Sequence, residues 1–142
     1  MAFPLEEWAR RVWAERDTAA IDEMCAAECC VHGAGPQPMQ GAGQYKQFHQ
    51  QVCQLLSETR LDVDHCIEQD GWLAALCTFT GRMADGREAS MRGSIQARIV
   101  DGKVVEAYDH FDFVGFFMQL GMLPADTLER CMSGRSVGQT DD

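Results

Sequence analysis

The stretch Val104-Val105-Glu106-Ala107-Tyr108-Asp109-His110-Phe111-Asp112-Phe113-Val114-Gly115-Phe116-Phe117-Met118-Gln119-Leu120-Gly121 changes period partway along. Up to Phe111 it reads as a strand with two faces, Val105, Ala107, Asp109 and Phe111 on one and Val104, Glu106, Tyr108 and His110 on the other. From Asp112 the spacing is helical. Phe113, Phe116, Phe117 and Leu120 share a side, Asp112 stands as N-cap and Gly121 as the stop. Asp109 thus falls in the apolar phase of the strand. A carboxylate there is either bonded to backbone amides or to Arg92, or held in an apolar cavity. In a cavity, desolvation raises its pKa and makes it a proton carrier near neutral pH.

Working back from this stretch, Asp-Gly pairs stand at 101–102, 85–86 and 70–71, each between segments of period two. Asp-Gly tolerates the positive backbone angles that tight hairpin turns require, so three in succession predict a four-stranded antiparallel meander. In it Ala89, Met91, Gly93, Ile95, Ala97 and Ile99 oppose a polar phase, Trp72 to Gly81 reads as a strand buried on both faces, and Leu61, Val63, His65 and Ile67 alternate with charges. Before the meander, Leu5, Trp8, Ala9, Val12 and Trp13 have helical spacing. Asp17 caps a short second helix, and Tyr45, Phe48, Val52, Leu55 and Leu56 mark a third over about 44–57. A Gly/Pro-rich loop over 33–43 separates the last two. Helices followed by a meander predict an α+β domain over 1–132, its helices on one face of a curved sheet, with a polar tail over 133–142.

At 142 residues the chain is long enough for one sizeable core, and 46% hydrophobic residues argue against disorder. With 22 acidic against 12 basic residues, the charge of -10 argues against nucleic acid or an anionic membrane surface as partner. The N-terminus lacks the pattern of a secretory signal, and no apolar run has the length to span a bilayer. Seven cysteines without paired spacing read as reduced thiols in a cytoplasm.

Six motifs are similar to one family. They are Val12-Trp13-Ala14-Glu15-Arg16-Asp17, Val31-His32-Gly33, Thr78-Phe79-Thr80-Gly81, Asp101-Gly102-Lys103-Val104-Val105-Glu106, Tyr108-Asp109-x-x-Asp112-x-x-Gly115 and Gln119-Leu120-Gly121. Together they resemble the SnoaL-like polyketide cyclases, of the nuclear transport factor 2-like fold, over about residues 5–121. The resemblance implies a cone of sheet and helices, a cavity that needs no cofactor, and a homodimer. It also implies that Asp109 is the general acid/base of an intramolecular aldol ring closure and that Asp112 caps a helix. The family's cyclases carry a histidine on the preceding strand where this chain has Ile95.

Among other candidates, His32 borders the Gly/Pro loop and is read as a donor to a developing enolate oxygen at the cavity mouth, or equally as a surface histidine beside a turn. His65 reads as a core histidine. Trp13, Phe48, Met91, Ile95, Phe111 and Phe117 are expected to line a substrate cavity, though the same spacing also describes plain core. Cys25-x3-Cys29-Cys30-x-His32 has no standard zinc spacing, and no metal is expected. The favoured expectation is a cofactor-independent cyclase or isomerase moving a proton on a hydrophobic, carbonyl-bearing, polyketide-like or steroid-like molecule. The alternative is a non-catalytic ligand-binding or dimeric interaction module of the same fold. An epoxide hydrolase would need a second carboxylate and an arginine beside Asp109, and Arg92 is in the opposite phase.

Overall fold

A computed structural model describes residues 2–138. The chain begins with α1 (Leu5–Ala9), which continues as a π-helical turn (Arg10–Ala14), followed by α2 (Ala19–Met24), β1 (Cys25–His32), β2 (Met39–Gln40) and α3 (Gly41–Leu55). Then come β3 (Glu58–Gln69), β4 (Trp72–Arg82), β5 (Glu88–Val100), β6 (Lys103–Phe111), α4 (Phe113–Gln119) and α5 (Thr127–Met132). Of the expected tail over 133–142, residues 139–142 lie outside the described residues.

The meander forms as the Asp-Gly pairs predict, but inside a larger sheet of order β2-β1-β6-β5-β4-β3. β1 joins β6 in parallel, with Val31 opposite Ala107 and His32 opposite Tyr108. The sequence reading missed most of β1, because the run of Cys, Ala and Glu from 25 to 30 has neither period. Its register also breaks between Cys25 and Cys30. Asp70-Gly71 and Asp101-Gly102 are two-residue turns with positive φ at both positions (54° and 81°; 52° and 78°). The third pair sits in a five-residue connection between Arg82 and Glu88. There Gly86 donates its N–H to the Met83 carbonyl at 2.9 Å, and Asp85 accepts from the Arg87 N–H at 3.1 Å.

β4 departs from the expectation of burial on both faces. Leu73, Ala75, Cys77 and Phe79 are buried, while Trp72, Ala74 and Leu76 are exposed on the outer face. A bulge between Val63 and His65 has a like effect on β3. His65 pairs with outward-facing Leu76 and is exposed, not a core histidine.

The helices close the inner face. Leu5, Trp8, Ala9, Val12 and Trp13 are all buried, as their spacing predicts. The N-cap of α2 is Thr18, not the expected Asp17, which stands one residue earlier and accepts the Ala19 N–H at 3.0 Å. α3 starts three residues earlier than the periodicity suggests, at Gly41, whose φ of +87° makes the entry bend. The Arg16 guanidinium donates to the carbonyls of Cys53 and Leu56 at 3.0 and 2.6 Å, satisfying groups that the end of α3 leaves open. Asp112 caps α4 through Gly115 N–H at 2.9 Å, and a side chain at 115 would collide with that carboxylate. No helix among the described residues is long and apolar enough to cross a membrane.

Candidate active site

Between the concave face of the sheet and the helices lies a cavity of about 110 Å³. Its wall is carbon almost throughout. Trp13, Phe48, Met91, Ile95, Phe111 and Phe117, expected from the sequence, all line it. Phe3 and Trp8 also line it and are buried, while Ala34, Phe48, Val52, Phe113 and Phe117 are partly exposed and mark its open side. Gly93 lies opposite Phe111 across the β5–β6 ladder, and a Cβ there would run into the Phe111 ring, so the glycine makes the space that seats it.

Among the described residues, Asp109 is the one charged side chain in the wall. β6 turns it inward as predicted, although the phase near the start of the strand differs. A bulge at Val105, set between the pairs Ile99–Val104 and Arg98–Glu106, puts Val104 in the cavity wall with Ala107, Asp109 and Phe111, in place of Val105. Across the ladder Asp109 faces Ile95, a hydrocarbon side chain. Asp109 keeps some accessible surface because it borders the cavity, yet its Oδ1 is sealed and has no hydrogen-bond partner. The structural alternative, a carboxylate held by amides or by Arg92, is not what forms, and Arg92 is exposed on the outer face. Burial alone pushes the Asp109 carboxyl from 3.8 up to about 7.

Two cavity groups that sequence reading treated as plain core carry polar atoms. Tyr45 on α3 is buried against Trp8 and Phe48, at ring separations of 5.7 and 5.9 Å. Burial raises the pKa of its hydroxyl well above 10, the charge of Asp109 adds to this and the Trp13 indole works weakly against it, so it stays a neutral donor. Cys25 also borders the cavity, and the neighbouring Cys29 together with burial keeps its thiol protonated. The only sign of Tyr45 in the sequence was its place three residues before Phe48 on the apolar side of a helix. Buried His49 holds the Val12 carbonyl at 2.6 Å, fastening α3 to the π-helical turn that carries Trp13.

His32 is not brought to this site. β1 alternates, so Val31 faces the cavity and His32 the outer surface, where its ring stacks on Tyr108 at 4.7 Å and its Nε2 lies 3.4 Å from Cys30 Sγ. That placement does not fit the oxyanion role expected of it. It also splits the Cys/His cluster, with Cys25 and Cys29 inside and Cys30 and His32 outside. Among the described residues, no group of three or more His, Cys, Asp or Glu is arranged to hold a metal ion.

The fold recurs in solved structures. TsrD from Streptomyces laurentii is 22% identical, with 84% of this chain and 92% of that one covered at a TM-score of 0.73. IdmH from Streptomyces antibioticus is 19% identical, with 84% and 99% covered at 0.72. TerC, crystallised with polyporic acid, is 20% identical, with 80% and 92% covered at 0.70. Identities this low show a common fold and nothing finer. No curated protein matches the sequence. The SnoaL-like polyketide cyclase family model matches residues 5–120, from the first helix through α4 and including every wall residue named above except Phe3. The chain therefore belongs to the SnoaL-like polyketide cyclase family.

Proposed function

We propose that the protein is a cofactor-independent cyclase or isomerase that moves a proton on a small hydrophobic carbonyl compound, with Asp109 as the acid/base. The observation that carries this reading is an unpartnered carboxylate, poised near neutrality by burial, in the wall of a carbon-lined cavity. Such a group takes a proton from carbon next to a carbonyl and returns it elsewhere on the same molecule without changing its oxidation state. A cavity of about 110 Å³ takes roughly one ring, so the reacting end of a polyketide-like or steroid-like substrate would enter and the rest would lie at the aromatic mouth. TerC, which shares the fold, was co-crystallised with polyporic acid, and this supports a ring compound as the kind of ligand.

The test is deuterium exchange at the methylene carbons of 2-indanone in heavy water, followed by NMR. The protein should accelerate exchange, and Asp109→Asn should reduce it to the uncatalysed rate while the fold is kept. Exchange that is unchanged by Asp109→Asn would reject Asp109 as the proton carrier. Ile95 in place of the family's histidine favours a second reading, a binding protein using the same cavity. That reading predicts saturable binding of 2-indanone with no exchange.

A further inference from the structure

A carboxylate that removes a proton beside a carbonyl leaves negative charge on the carbonyl oxygen, and a site without a donor for that oxygen gains little from the base. His32 faces away from the cavity, and Ile95, directly across from Asp109, has no donor to offer. The polar atoms that remain within the wall are few, and one has the right properties. The Tyr45 side chain borders the cavity from α3, the side opposite the sheet that carries Asp109. The neighbouring Trp13 indole N–H can only donate, so its influence falls on the oxygen of the Tyr45 hydroxyl and makes no claim on the phenolic proton. Asp109 Oδ1, which lacks a partner, is not hydrogen-bonded to it, so the phenolic proton is not committed to that carboxylate oxygen.

We propose that Tyr45 is a catalytic residue, the hydrogen-bond donor that holds the substrate's carbonyl oxygen while Asp109 works on the adjacent carbon. The proposal rests on the proton-transfer reading above and adds its second half. In the step, Asp109 takes the proton from the α-carbon, the C–H electron pair becomes the carbon–carbon double bond of the enolate, and the carbonyl π pair moves onto oxygen. The Tyr45 O–H hydrogen-bonds that oxygen without giving up its proton. Protonated Asp109 then returns the proton to carbon, or the enolate carbon attacks a second carbonyl of the same molecule to close a ring, whose new alkoxide takes the proton from Asp109. The site suits an uncharged substrate, because ionised Asp109 is already one anion in a wall that, among the described residues, has no cation to offset a second.

The donor can be tested apart from turnover. In the Asp109→Asn protein, 4-nitrophenol should bind as its visibly absorbing phenolate, with the oxygen on Tyr45. Adding Tyr45→Phe should weaken phenolate binding at least tenfold, and equal binding by the double variant would overturn the proposal. Should that variant fail to fold, 4-nitroanisole, which has no ionisable hydroxyl, should bind the Asp109→Asn protein at least tenfold more weakly than 4-nitrophenol; equal affinity would overturn the proposal as well. With Asp109 intact, Tyr45→Phe should slow 2-indanone exchange about 100-fold in kcat and change KM less than threefold. Exchange that needs Asp109 but ignores Tyr45 would sink the donor and leave the proton-transfer reading standing. Tyr45-dependent phenolate binding without any exchange would do the reverse.

Discussion

Asp109 makes the stability of the protein depend on pH in a direction opposite to that of most carboxylates. Its pKa is about 7 in the folded state against an ordinary 3.8, so between those values the folded chain holds a proton that the unfolded chain has released. Stability from this group therefore falls as pH rises through that window, and above pH 7 the full penalty of about 4 kcal/mol applies. Asp109→Asn should be nearly neutral at pH 4 and stabilising by up to about 4 kcal/mol at pH 8, read from urea unfolding. A difference that stays flat with pH would show that the carboxyl is not desolvated. His49, whose pKa burial lowers, works in the other direction by favouring folding as pH rises, but it is common to both proteins and cancels in the comparison. That Asp109 faces inward was legible from strand alternation. That it has no partner was not, since the sequence alone could not exclude backbone amides, or Arg92 despite its opposite phase, as partners.

At the scale of elements, two irregularities place the site. The bulge at Val105 lets β6 leave its tight turn and still present Ala107, Asp109 and Phe111 to the cavity, and strict alternation could not reveal which of Val104 and Val105 would line it. Gly93 is the matching device on β5. Gly93→Ala would press a methyl group against the Phe111 ring and the His110 carbonyl, and should destabilise the fold by about 1–3 kcal/mol in denaturant unfolding. A full complement of stability in that variant would mean that Phe111 moves freely, leaving the cavity shape unspecified by the ladder. The cap at Asp112 was legible, because a carboxylate followed three residues on by Gly115 and then aromatic residues on one side is a local helix start. It contributes about 1 kcal/mol. β1 was hidden for the converse reason. Small residues leave no period, and its parallel partner β6 lies more than seventy residues further along the chain.

For the molecule as a whole, a sheet that buries one face against helices leaves the other to solvent or to a second copy. The outer face carries Trp72, Leu76 and Ile67 side by side on β3 and β4, each exposed. We propose that this face pairs two chains, so sedimentation should give twice the 15.8 kDa chain mass, and Trp72→Lys combined with Leu76→Lys should halve it. A parent protein that sediments at the single-chain mass would remove the dimer from consideration. The sequence by itself determined the helices, the meander and the inward phase of Asp109, because period, turn chemistry and capping depend on residues within a few positions of one another. The tertiary structure alone decided that a void remains, that His32 lies outside it and that Tyr45 looks into it. A cavity is the mismatch between surfaces contributed by elements far apart in the chain, and no local pattern records it.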